Sequence, residues 1–278
     1  MIADVPSILV DRTFRLGENP LWDTKRGLLF WTDIDAGELW RYDPDADKAE
    51  CFYSGPKVGG FTLQQDGDLA LFRVNDIALL NPENPGSVRT IAAFEDPDAE
   101  RFNDVQALPD GSVYAGTIAA RPGSGGLYHV AKDLAIRPLF KCTDVSNGMA
   151  VFDDGRSLLW TCSTSGRIVC FNRDTQTNEL TDPNDLYKAT PEEGTPDGLT
   201  RDIEGRIWSA RWDGSSVFVH DADGNVIERL PVPTARVTSV CFGGPDLSTL
   251  YITTSEGPIY QARTKTFGLE EPRSGLGT

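Results

Sequence analysis

The chain has 278 residues, enough for one or two domains and a large core. Its 42 acidic residues against 26 basic ones give a net charge of −16, which argues against nucleic acid and anionic membrane surfaces as partners, since both need a basic patch. The 27 glycines and 18 prolines, with aromatic and β-branched residues in short runs, suit many short strands joined by tight turns.

Met1 to Gly17 lacks the basic start and apolar stretch of a secretory signal. No apolar run approaches the ~20 residues of a membrane span, so the cytoplasm is the expected location. The five cysteines, Cys51, Cys142, Cys162, Cys170 and Cys241, form no CxxC pair, which argues against a zinc knuckle or a thioredoxin-type site. Several sit in apolar runs such as Val169-Cys170-Phe171 and read as small core residues in a reducing compartment.

In chain order, Val5 to Arg15 is expected to supply an outer strand that closes on the last repeat. The repeat itself begins at Glu18 and has a polar entrance, an apolar pair, a glycine turn, a strand, a second turn and another strand. Copies start at Glu18, Gly60, Asn103, Asn147, Asp197 and near Thr238. Their turns fall at 27, 67, 111, 155, 205 and about 246, at intervals of 40, 44, 44, 50 and 41 residues. That is the length of one four-stranded propeller blade. The expected fold is all-β, a six-bladed β-propeller forming one domain over 1–278 with no linker. A solenoid of strands is the runner-up, but its 20–30-residue period is missing. The best helical stretch, near Asn184 to Thr190, is short.

Four oxygen-bearing side chains share one phase of the repeat: Glu18, Asn103, Asn147 and Asp197, each eight or nine residues before the turn glycine. In a propeller, equal phase aims them at one point, and two carboxylates with two amides suit a hard divalent cation. Glu18, Asn147 and Asp197 are the expected ligands. Asn103 either binds directly or holds a coordinated water. The matching positions Gly59-Gly60 and Thr238-Ser239 bring no charge. Arg101, two residues before Asn103, is placed to contact a substrate carboxylate or hydroxyl; the alternative is a surface ion pair with Glu100, Asp98 or Asp96. The plainer account of the Asn and Asp residues is turn formation through their own backbone.

Other chemistries fit poorly. His129 and His220 are the two histidines, expected in turns or outer strands, so histidine zinc sites and Ser-His-Asp triads are disfavoured. Asp43-Pro-Asp45-Ala-Asp47 begins like an EF-hand but has Lys48 at the glycine position and Ser54 at that of the bidentate Glu. There is no Walker loop. Gly123-Ser124-Gly125-Gly126 reads equally as a lid or a connector.

The motifs Leu16-Gly17-Glu18-Asn19-Pro20-Leu21-Trp22-Asp23, Arg101-Phe102-Asn103-Asp104, Ser146-Asn147-Gly148-Met149-Ala150 and Thr195-Pro196-Asp197-Gly198-Leu199 resemble, in order and spacing, those of the gluconolactonase family, which includes regucalcin. The resemblance covers essentially the whole chain. It implies a six-bladed propeller with one divalent metal, the ligands being Glu18, Asn147 and Asp197, while Asn103 and Arg101 contact a sugar lactone. Hydrolysis of an aldonolactone to the aldonic acid is the expected reaction, with Asp197 as base for the attacking water. The ion is calcium, magnesium, manganese, zinc or ferrous iron, with all-oxygen ligation leaning to the harder ones. Rival readings are a metal-dependent esterase or phosphotriesterase and a non-catalytic calcium-binding propeller. One departure is Thr161-Cys162-Ser163, where the family carries Thr-Asp-Ser; altered packing is expected there, not lost activity. The loop Arg121 to Gly126 also has no carboxylate, so a family preference read by an acid there would differ.

Overall fold

The structure, a computed structural model, describes every residue except Met1, Ala3 and Asp153. Six four-stranded sheets form the blades of a β-propeller. Blade 1 spans 17–54, blade 2 58–93, blade 3 99–143, blade 4 146–188 and blade 5 195–231; blade 6 spans 236–263 plus an N-terminal strand. That strand, β1 (Ser7–Phe14), pairs antiparallel with β24 (Gly257–Arg263), the closure expected from the sequence.

Burial falls from the first strand of a blade to its fourth. In blade 1, β2 (Gly17–Asp23) and β3 (Leu28–Asp33) are buried almost throughout, whereas β5 (Lys48–Ser54) alternates and is partly exposed. This explains the unbroken apolar runs of the second strands: Leu29, Phe30 and Trp31 are all fully buried. The turn glycines Gly27, Gly67, Gly111, Gly155 and Gly205 all have φ between +68° and +97°, the left-handed region that glycine enters without steric cost.

The chain forms two compact units of three blades each. The unit of 1–55 and 186–271 holds blades 1, 5 and 6. Its cores lie between blades: Trp208, Val240 and Phe242 in one, Trp22, Trp31 and Tyr251 in another. The unit of 56–185 and 272–278 holds blades 2, 3 and most of blade 4, with Phe72, Phe102 and Tyr128 in one core and Tyr114, Trp160 and Phe171 in another. In this unit the segment 272–278 lies on blade 2. Gln64 exchanges two 3.0 Å hydrogen bonds with the Leu276 backbone, and the Ser274 hydroxyl bonds Gln64 and Thr62. The Leu276 side chain is fully buried in the core. Leu276→Ala is therefore expected to cost about 2–5 kcal/mol, measured by chemical denaturation; a loss below about 0.5 kcal/mol would show that this core closes without it.

One expectation is corrected. The stretch near Asn184 to Thr190 is not helical: β17 (Leu180–Lys188) runs through it, and a 3-10 turn follows at Pro191–Glu193. β17 is the edge strand of blade 4. An edge needs no inward apolar alternation and tolerates Pro183, so the period-2 signal is absent. Among the described residues no helix is long and apolar enough to cross a membrane.

Candidate functional site

The first strand of every blade carries a register shift against the second strand, at one phase. The shifts fall between Glu18 and Leu21, Val58 and Gly60, Phe102 and Val105, Asn147 and Met149, Pro196 and Leu199, and Val237 and Ser239. A bulge places extra backbone opposite one partner residue and re-aims the side chains around it. Glu18 and Asn147 sit at the start of their bulges, and Asn103 and Asp197 sit inside theirs. All four are buried, with exposures of 4–5%. In blade 1 the bulge is written as Glu-Asn-Pro: Asn19 adopts φ +49°, a region asparagine tolerates, and its N–H donates to Glu18 Oε2 at 3.1 Å.

In the unit of blades 1, 5 and 6, β22 (Arg236–Gly243) packs against both β2 and β18 (Thr195–Arg201), the strands bearing Glu18 and Asp197. Thr238 Oγ1 donates to the Gly17 carbonyl at 2.5 Å. A Cβ on Gly198 would lie 2.1 Å from Ser239 Oγ, so only glycine lets β18 approach this closely beside Asp197.

In the unit of blades 2, 3 and 4, β10 (Ala99–Ala107) packs against β6 (Val58–Leu63) and β14 (Ser146–Phe152). Here a chain of hydrogen bonds joins three expected residues. Arg101 Nη1 donates to Asn103 Oδ1 at 2.6 Å and to the Phe102 carbonyl at 2.9 Å. Asn103 Nδ2 donates to the Ser146 carbonyl at 3.0 Å and to Asn147 Oδ1 at 2.6 Å. Asn147 Nδ2 donates to Ser163 Oγ at 2.9 Å. Two of the three acids considered as surface partners of Arg101 are engaged by other groups. Asp96 accepts from Lys141 and Tyr128, and Asp98 from Lys141 and Arg121. The 121–124 loop is tied down as well: Ser124 Oγ donates to the Asp98 carbonyl at 2.6 Å, and Gly123 N–H donates to the Asp144 carboxylate.

Gly59 shows why blade 2 brings no side chain to this phase. A Cβ there would lie 2.0 Å from the Phe102 carbonyl oxygen and 3.1 Å from the Asn103 nitrogen. Gly59→Ala is expected to push the 102–103 peptide outward and cost about 1–3 kcal/mol, seen as a lowered thermal midpoint; an unchanged midpoint would show slack between β6 and β10.

Two residues that were not singled out from the sequence stand beside these. Asp104 is buried next to Asn103, and burial pushes its carboxyl up to about 7 against the pull of the Arg101 charge. Its signal was visible as an acid inside the Arg101-Phe102-Asn103-Asp104 motif. Ser163 stands in the Thr161-Cys162-Ser163 segment, but its contact with Asn147 joins residues 16 apart and has no local sequence signal. The histidines lie in the third strands of their blades, both buried: His129 on β12 (Gly125–Val130) and His220 on β20 (Ser216–His220). Burial lowers both to about 4.

The Cys162 departure has a local substitute. In blade 1 the Asp33 carboxylate accepts the N–H groups of Arg15 and Leu16, both at 3.0 Å, just before Glu18. In blade 4 Thr164 Oγ1 accepts those of Asp144 and Val145, at 2.9 and 3.0 Å, just before Asn147. Cys162 itself packs against Thr143 Oγ1, with the sulfur at 3.3 Å.

In the unit of blades 1, 5 and 6, Glu18 and Asp197 are buried carboxylates, and in the unit of blades 2, 3 and 4, Asn147 is a buried amide; each offers oxygen donors of the kind a hard divalent cation takes. Among the described residues no three Asp, Glu, His or Cys side chains gather as a ligand group.

A six-bladed propeller with buried acids and amides at one phase of its first strands defines a class of protein, and the comparisons give the family. The profile described as SMP-30/Gluconolactonase/LRE-like region matches residues 16–256, and the chain belongs to that family. It is 36% identical to the pentonolactonase of Haloferax volcanii, over 90% of this chain and 84% of the relative. It is 33% identical to regucalcin of Xenopus laevis, over 89% of this chain and 85% of the relative. Among solved structures it superposes on a calcium-binding protein, regucalcin, from Agrobacterium tumefaciens with a TM-score of 0.89 at 25% identity, covering 96% of each chain. A luciferin-regenerating enzyme gives a TM-score of 0.91 at 23% identity, covering 99% and 100%, a likeness of fold alone.

Proposed function

We propose that the chain is a divalent-metal-dependent lactonase that opens a sugar lactone to its aldonic acid. Glu18, Asn147 and Asp197 hold the cation, and Arg101 and Asn103 contact the sugar. The observation that carries this reading is the chain of hydrogen bonds from Arg101 through Asn103 to Asn147, which couples a substrate-contacting cation to a candidate ligand. The 36% identity to a pentonolactonase supports the same substrate class.

A cation bound there would supply Lewis-acid polarisation of the lactone carbonyl and positive charge near the developing oxyanion. The protein's own groups do the rest. Arg101 presents its guanidinium to ring hydroxyls, held in direction by its bonds to Phe102 and Asn103. Asp197 takes the proton of the attacking water and returns it to the ring oxygen as the acyl C–O bond breaks, leaving the aldonic acid with a free hydroxyl. A metal-bound carboxylate is a weak base, but a strained cyclic ester needs little help. The buried setting of Asp197 limits competing water.

The test is a pH-indicator assay of pentono- and hexonolactones on chelator-treated protein, with calcium, magnesium, manganese, zinc or ferrous iron added back. Simple esters and phosphotriesters run alongside. Lactone turnover restored by metal is the expected result. Turnover of phosphotriesters alone would favour the rival hydrolase. Metal binding without any turnover would favour a calcium-binding role like that named for the Agrobacterium protein.

A further inference from the structure

We infer that Ser163 is a positioning residue that holds the Asn147 amide, oriented by Asn103, in place for the cation; this rests on the metal reading above. The argument starts from donors and acceptors that cannot exchange roles. Arg101 can only donate, so the Asn103 atom 2.6 Å from it is Oδ1. The Ser146 carbonyl can only accept, so the Asn103 atom 3.0 Å from it is Nδ2. The Asn103 amide is thereby locked at both ends. Its Nδ2 also lies 2.6 Å from Asn147, so the facing Asn147 atom is Oδ1 and the remaining Nδ2 points at Ser163 Oγ, 2.9 Å away.

An amide flip exchanges a carbonyl oxygen, which ligates a hard cation, for an NH2 group, which repels it. Asn103 opposes that flip, because its Nδ2 would then face a second NH2 group. The Ser163 hydroxyl can donate as well as accept, so its part is to hold the oriented amide in place from the other side. Asn103 is already a candidate sugar contact, which leaves Ser163 as the contact from outside the proposed site. The turn that carries Ser163 is itself anchored to the approach to Asn147. Ser163–Ser165 forms one 3-10 turn, closed by Gly166 at φ +67°. Ser163 N–H donates to the Val145 carbonyl at 3.3 Å, and Thr164 Oγ1 accepts the Asp144 and Val145 N–H groups. The hydroxyl is thus held at fixed distance from the strand it orients. Groups outside the ligand shell that orient ligands in this way typically change metal affinity by about 10–100-fold when removed.

The experiment titrates calcium and manganese into chelator-stripped wild type, Ser163→Ala and Ser163→Thr by calorimetry, with the thermal midpoint of each metal-free protein as control. Ser163→Ala is expected to bind roughly 10–100-fold more weakly with its metal-free midpoint little changed. Ser163→Thr keeps the oxygen and is expected to bind like wild type. A purely structural serine would lower the metal-free midpoint and leave affinity alone. Affinity of Ser163→Ala within about twofold of wild type would overturn the inference while leaving the metal reading intact. Wild type that takes up neither ion would overturn both. Should Ser163→Ala fail to fold, Ser163→Cys replaces it: the weak sulfur acceptor is expected to lose affinity relative to Ser163→Thr, and equal affinities would again overturn the inference.

Discussion

Asp197→Ala is expected to lower kcat/KM for lactone opening by about a thousandfold or more. Two losses combine in it. On the proposed reading the water loses its base, a contribution of roughly 10²–10⁴-fold, and the cation loses one of its two expected carboxylate ligands. Asp197→Asn separates them, since the amide oxygen can still ligate but cannot accept the proton at neutral pH. It should bind metal measurably while turning over slowly. The decisive sample is Asp197→Ala saturated with metal: full turnover there would remove Asp197 from the chemistry. Asp197 lies inside a bulge, and because alanine is smaller than aspartate it introduces no clash that would confuse the reading.

The second large effect is acid destabilisation through His220. Its ring is fully buried. Arg211 Nη2 lies 2.8 Å from Nε2, and Nδ1 lies 2.9 Å from the Gly224 carbonyl. Arginine can only donate and a carbonyl can only accept, so the neutral ring with its proton on Nδ1 is the form this pocket accommodates. Burial first, and then the Arg211 charge, lower its pKa from the ordinary 6.5 to about 4, with the Gly224 bond opposing. Arg211 keeps its charge: burial lowers it only to about 10, and its guanidinium lies 4.3 Å from the Phe218 ring centroid and 4.7 Å from that of Tyr187. The folded pKa lies below the unfolded one. The stabilisation is therefore complete above pH 6.5 and is lost as pH falls towards 4, by about 3 kcal/mol at most. Denaturation midpoints of wild type and His220→Gln should diverge at neutral pH and converge near pH 4. Parallel curves from pH 7 to pH 4 would refute this role. His129, also lowered to about 4 by burial, should add a similar loss in both proteins.

The fold was legible because a propeller writes its period into the chain. Glycines at 27, 67, 111, 155 and 205 mark turns that need positive φ, and each precedes an apolar strand. The shared phase of Glu18, Asn103, Asn147 and Asp197 was legible for the same reason. What the pattern hid was lateral. Ser163 and Asn147 meet across a sheet, and Thr164 takes the part played in blade 1 by Asp33, so a missing carboxylate at Cys162 looked like a gap. Asp104 stands one residue from Asn103, where a simple strand would turn it to the opposite face; the bulge at Phe102 to Val105 breaks that alternation. The edge strand β17 misled for the opposite reason, having no buried face to impose a rhythm.

The six aligned bulges also bear on how such a scaffold changes occupation. A side chain at a regular strand position is tied to the pleat, so altering its aim means altering the whole register. Where each blade already departs from the ladder, direction is set by one local kink, and neighbouring pairs on either side stay matched. New chemistry can then be installed by rewriting single letters at those kinks while the sheets go on assembling as before. Gly59 is the exception, since the Phe102 carbonyl fills the space its side chain would need; the freedom to innovate lies with the other five.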